Sequence, residues 1–150
     1  MANTSAICSS FKQELLQGKH NFASSGGDTF KIALYDSDAT LGASTTDYST
    51  SEEITNTSGT AYTAGGETLT RTGVGLTGTT AFTDFSDVTF SSASFTANAA
   101  LIYNTTTGTS TGTTNAVCAI AFGGDKTASN GTFKIEFPTA DSSSAIIRLA

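Results

Sequence analysis

Apolar and polar residues alternate along much of this chain, and the period is two. In Thr29-Phe30-Lys31-Ile32-Ala33-Leu34-Tyr35, Phe30, Ile32 and Leu34 fall on one face, as they would on a half-buried β-strand. The same alternation returns in Gly131-Thr132-Phe133-Lys134-Ile135-Glu136-Phe137, which places Phe133, Ile135 and Phe137 inward and ends at Pro138. Weaker strands are expected around Glu53-Ile54-Thr55, from Glu67 to Thr72 with Leu69 inward, and from Ala81 to Phe85. Another follows from Ser86 to Phe90, with Phe82, Val88, Phe90 and Phe95 as core candidates. Ala99–Tyr103 and Ala116–Phe122 are continuously apolar, the pattern of central strands buried on both faces. Ala145–Leu149 supplies a last short strand.

One segment departs from this period. Ser10 to Gln17 carries Phe11 and Leu15 four apart, with Ser10 and Gln13 at capping-box spacing and Gly18 as a C-terminal stop. At about two turns such a helix cannot persist alone, so its Phe/Leu stripe should pack against a β core or dock a neighbouring subunit. Between the strands, residues 36–51 read as a surface loop, Asn104 to Asn115 as a flexible hairpin tip, and Gly123-Gly124-Asp125 as the start of another exposed loop. Gly73, Gly75 and Gly78 interrupt the strand pattern. Eight to ten short strands with one short N-terminal helix predict a mainly β fold, an antiparallel β-sandwich or flattened barrel. The whole of 1–150 reads as a single domain with a short N-terminal arm over about residues 1–9.

Composition changes the picture by exclusion. The chain holds 29 Thr and 19 Ser but only 13% charged residues, so its polar surface is largely hydroxyl. A net charge of −6 argues against a phosphate backbone as partner. No apolar run is long enough for a membrane-spanning helix, and the first ten residues do not read as a secretory signal. Without an export signal, Cys8 and Cys118 are expected as reduced thiols, and the sequons beginning at Asn3, Asn56, Asn104 and Asn130 as chance occurrences in a Thr-rich chain.

Catalytic chemistry finds little material. His20 is the sole histidine, at a helix exit where imidazolium is favoured for structural reasons. Asp36, Asp38 and Asp47, or Asp84 and Asp87, could hold calcium, but their spacing departs from a calcium-loop pattern and reads better as solvated turns. Glu52 and Glu53 are adjacent, so on a strand they point to opposite faces and cannot converge on one bond. The glycine pairs lack a phosphate-loop motif. Cys118 reads as inert core, and Cys8 as a thiol open to solvent with only Lys12 near it. The expectation is a protein without enzymatic activity, cofactor or resident metal.

Several segments together carry a resemblance. Leu15-Leu16-Gln17-Gly18, Asp28–Tyr35, Gly59–Gly66, Asp87–Phe90, Ala99–Asn104 and Gly131–Pro138 resemble small β-rich virion proteins encoded by tailed bacteriophages. The resemblance spans most of the chain, and its motifs are architectural. It implies a capsid decoration, or cement, protein made in the host bacterial cytoplasm and carried on the outer surface of the virion. The partners it implies are the major capsid protein and further copies of the chain, as a dimer or trimer, with no nucleic acid and no membrane. A protein that binds across assembled subunits stabilises the shell by mass action, and many copies add weak contacts. The contact candidates are Ile7, Phe11, Leu15, Ile147 and Leu149, together with exposed edge strands. The alternatives are another virion position (tail tube, baseplate or fibre) and a carbohydrate-binding or adhesin module. With no Trp, the last would rest on Tyr35, Tyr48, Tyr62 and Tyr103.

Overall fold

The computed structural model describes residues 2–54, 62–106 and 114–150. Expectations that fall on Thr55, Asn56, residues 59–61 and the centre of the Asn104–Asn115 tip lie outside the described residues. Among the described residues eight strands and one helix follow in the order β1 (Ala6–Ile7), α1 (Ser9–Leu16), β2 (Phe30–Tyr35), β3 (Glu67–Leu69), β4 (Arg71–Thr77), β5 (Thr80–Phe85), β6 (Val88–Asn104), β7 (Ala116–Ile135) and β8 (Ile147–Leu149). They form two antiparallel sheets, five strands in the order β1-β7-β6-β2-β3 and three in the order β4-β5-β8. The mainly β, sandwich-like fold expected from the alternation is the fold observed.

β2 lies between β6 and β3, with Ile32 opposite Ile102 on one side and Glu67 on the other. Its apolar face, Phe30, Ile32 and Leu34, is fully buried, and so are Ala33 and Tyr35 behind it. Each large apolar side chain so buried contributes about 1.5–3 kcal/mol relative to exposure. Phe85 of β5 reaches Phe30 of β2 at a ring separation of 5.7 Å, with Phe22 stacked on Phe30 at 4.5 Å, and these rings join the two sheets in one core.

The structure differs from the sequence expectation in four places. The segments expected separately at Ser86–Phe90, Phe95 and Ala99–Tyr103 are one strand, β6. Its partner β7 runs through the loop expected at Gly123-Gly124-Asp125. There Asn98 of β6 faces residues 122–125 of β7, and the surplus is absorbed as a bulge by Gly123 and Gly124 at positive φ, so pairing resumes instead of ending. The strand expected from Glu67 to Thr72 divides at Thr70, its halves joining different sheets. Glu53 makes only an isolated bridge to Tyr35.

The helix is capped differently as well. Cys8, not Ser10, is its N-cap, and no side chain caps it. Ser10 lies inside the first turn, its Oγ buried without a hydrogen-bond partner among the described residues. The C-terminus behaves as expected: Gly18 at φ 70° donates to Leu15 O and Lys19 donates to Glu14 O, a paired closure that needs a left-handed residue at Gly18. The arm is not free. Ala6 and Ile7 pair with Ala119 and Cys118, and Asn3 bonds Asp36 O, Asn98 and the Leu41 amide.

Candidate functional site

The polar side chains that could carry chemistry are tied into the fold. His20 is buried where the chain leaves α1, and both ring nitrogens are occupied: Nε2 lies 2.8 Å from Glu14 Oε2 and Nδ1 3.1 Å from Asn104 Nδ2. Asn104 also donates to Asp28 Oδ2 at 2.7 Å, and Asn115 donates to Glu14 Oε1 at 2.9 Å. Phe11 and Phe22 pack around the imidazole. The row Asp28–Asn104–His20–Glu14 stitches β6, α1 and the loop after it together. Among the described residues the hydrogen-bond partners of the His20 ring are Glu14 and Asn104.

Glu53 anchors a second buried group. Its carboxylate accepts from Tyr48 Oη at 2.6 Å, Tyr62 Oη at 2.5 Å and the Gly65 amide at 2.7 Å. Tyr103 stacks on Tyr48 at 4.5 Å and donates to Gly65 O, and Tyr35 donates to Ser49 O. Burial and the Glu53 charge push all four tyrosines up, Tyr103 to about 12. Tyr35, Tyr62 and Tyr103 are buried, so the aromatic platform a carbohydrate-binding module would need is spent inside the fold.

The acidic candidates separate. Asp36 and Asp38 come together with Glu52, not with Asp47, which bridges to Asn115 instead. Asp38 N–H donates to Asp36 Oδ1, the pattern of an Asx turn. Asp84 is fully buried and accepts the amides of Phe85 and Ile146, and desolvation holds its carboxyl above the usual range. Asp87 pairs with Lys134 at 2.9 Å and accepts the Phe137 amide, contacts that hold its carboxyl below that range. Both aspartates fasten the C-terminal segment. Cys8 and Cys118 are free thiols, and Cys8 is fully buried, not exposed as expected. Burial pushes it up to about 11, away from reactivity.

What stays unsatisfied is apolar surface. The β4–β5–β8 registers set Val74, Thr83 and Ile147 in one row and Leu76, Ala81 and Leu149 in the next, all on one face of the three-stranded sheet. At one end this face enters the core through Thr83, Phe85 and Ile147. At the other it runs out past the core, leaving Val74, Leu76 and Leu149 at 64%, 71% and 56% exposure. Beside it lies a groove of about 400 Å³ between the sheet and the end of α1, lined by Leu15, His20, Phe22, Val74, Ile147 and Leu149 among others. On the opposite face Gly75 lies directly beneath Phe82, where a Cβ would come within 2.4 Å of the ring.

Three of the five contact candidates, Leu15, Ile147 and Leu149, therefore line one groove, with Leu149 the most open. Ile147 is 6% exposed and forms its floor. Ile7 lies at a different groove with residues 118–120 and 135–138. Phe11 is no contact residue: it is 1% exposed, turned inward onto His20 and Phe22. The outward residue of that helix is Leu16, at 91% exposure. Sequence reasoning missed Val74 and Leu76 because Gly73 and Gly75 read as interruptions. The signal was present, since Gly-Val-Gly-Leu is itself a period-two alternation. No protein family, curated protein or solved structure matches this chain.

Proposed function

We propose that this protein is a structural component that acts through its surface, a decoration or cement protein that binds the outside of an assembled bacteriophage shell and bridges neighbouring capsid subunits. The observation that carries the reading is the apolar end of the three-stranded sheet, where Val74, Leu76 and Leu149 remain exposed on a fold whose buried His20 and Glu53 are held by internal hydrogen bonds. Scattered exposed apolar residues need no explanation, but a set gathered on one face of one sheet, Val74 and Leu76 on β4 and Leu149 on β8 with Ala81 of β5 between them, is the form of a protein contact. Rigid strands hold it in place, and repetition over a shell multiplies a modest contact into lasting occupancy. The segmental resemblance to phage virion proteins supports the same reading and supplies the partner, the major capsid protein.

The test is binding of the purified chain to mature shells and to isolated capsid subunits of the particle whose genome encodes it, with density for the intact particle. Expected are a copy across each subunit junction on the outer surface, little binding to isolated subunits, and a higher temperature of shell disruption. Leu149→Glu should weaken occupancy by about tenfold, the effect of about 1.4 kcal/mol. Indifference to mature shells, or density in the tail alone, would overturn the proposal.

A further inference from the structure

The edge of the three-stranded sheet carries an inference that does not depend on shell binding. Residues 78–79 form the two-residue turn between β4 and β5, and Thr77 opposite Thr80 closes it as a hydrogen-bonded pair. Alternation then makes Gly75–Phe82 hydrogen-bonded, and Leu76–Ala81 and Val74–Thr83 non-hydrogen-bonded. The N–H and C=O groups of Val74 and Leu76 therefore point away from β5. β4 is an edge, so no strand among the described residues receives them. Natural edges are commonly blunted by Lys, Pro, an inward charge or a covering loop. Over residues 72–77 this one has none of the first three: it reads Thr-Gly-Val-Gly-Leu-Thr. Arg71, the sole charge on β4, is turned back onto the carbonyls of Ala23, Ser24 and Asp28.

We infer that β4 pairs antiparallel with β4 of a second copy, about a two-fold axis at Gly75, giving a continuous six-stranded sheet. In that register Val74 stands opposite Leu76 of the second copy and Leu76 opposite its Val74. Both are hydrogen-bonded pairs, so four outward N–H and C=O pairs are satisfied at once. Gly75 meets Gly75 in the close non-hydrogen-bonded position between them. On one face the two Val74–Leu76 pairs make a four-residue apolar cluster, and on the other the two Phe82 rings flank the axis over their own Gly75. The two Arg71 residues lie at opposite ends of the ladder, so no like charges face each other.

Within the three-stranded sheet the pattern selects β4 of the second copy over its β8, the opposite edge of that sheet. β8 has three residues, and with Ile147 and Leu149 directed to β5 it offers outward backbone groups at Arg148 alone. Pairing of β4 with β8 would thus form fewer bonds and would continue head to tail. The two-fold arrangement closes.

Sedimentation of the full chain over rising concentration should show a monomer–dimer equilibrium, and amide exchange at Val74 and Leu76 should slow as the dimer fills. Leu76→Lys should weaken the dimer by about tenfold or more, whereas Leu16→Lys on α1 should leave it unchanged. Both side chains are exposed, so folding is not at issue. Register is read by oxidation: Val74→Cys mixed with Leu76→Cys should cross-link between the two variants, and Val74→Cys alone should not. Cys8 and Cys118 are buried and take no part. A monomer at every concentration, an open ladder of higher oligomers, a dimer indifferent to Leu76→Lys, or cross-linking of Val74→Cys to itself would overturn the inference. A dimer that ignores shells leaves it standing and removes only the shell reading, and a monomer that binds shells does the reverse.

Discussion

Glu53 shows how far one side chain can organise its surroundings. It is an acid at 4% exposure whose three donors come from Tyr48, Tyr62 and Gly65, and Tyr62 Oη in turn accepts the Leu34 amide of β2. Glu53→Ala would strand those donors in a buried site and should cost about 3 kcal/mol in urea unfolding. Glu53→Gln should cost distinctly less, because the amide oxygen can accept from Tyr62 and Gly65 while the amide nitrogen donates to Tyr48 Oη. The tyrosines set an alkaline limit. Their ionisation is held above the ordinary value near 10, so the unfolded chain loses those protons first. Their contribution is intact below about pH 10 and declines as pH rises through about 12. Urea midpoints should be flat across neutral pH and fall above about pH 10, with tyrosinate absorbance in the folded protein appearing later than in the unfolded chain. That Tyr48 and Tyr62 both donate to one glutamate was not legible in the sequence. Glu53 lies beside Glu52, which is exposed at φ 60°, and only contacts distant in the chain distinguish the two.

Among the elements, α1 packs its Phe11 side on the core as its sequence suggests, whereas β4 is a strand where its glycines suggested interruptions. α1 was readable as a helix from Phe11, Leu15 and Gly18, and its C-terminal closure follows the local rule. Gly18→Ala, which would force a Cβ into the left-handed region where no contact compensates, should cost about 1 kcal/mol and fray the end of the helix in amide exchange. Which side of α1 faces inward was less readable, because Leu15 and Leu16 are adjacent and equally apolar. Packing against β7 and the 20–22 segment decides for Phe11 and leaves Leu16 in solvent. In β4 the glycines that looked like breaks permit the strand, since Gly75 makes room for Phe82 across the hairpin. β6 and β7 were legible as apolar runs but not as one long ribbon, because a bulge opposite Asn98 resembles a loop until its partner strand is known.

For the whole molecule, charge and apolar surface pull in opposite directions. Each copy carries −6, so two copies repel at long range, while the contact at β4 contains no charge. Added salt shortens that repulsion without touching the apolar cluster or the strand hydrogen bonds. The dimer should therefore tighten between low and physiological ionic strength, as sedimentation at a fixed concentration would record. An interface built on salt bridges would loosen.

The sequence by itself determined the class of this protein: alternation at Phe30, Ile32 and Leu34 and again at Phe133 and Ile135 is a local property of the pleat, and it made a β fold legible without any knowledge of partners. It also set the composition, one histidine and a third of the residues Thr or Ser, so the polar surface is largely hydroxyl. Tertiary structure decided which apolar positions are covered. Phe11 is enclosed, while Val74 and Leu76 are bare, and hydrophobicity along the chain does not separate them. Burial belongs to neighbours brought from far away in sequence, and the surface available to another molecule is defined only after those neighbours have taken their places.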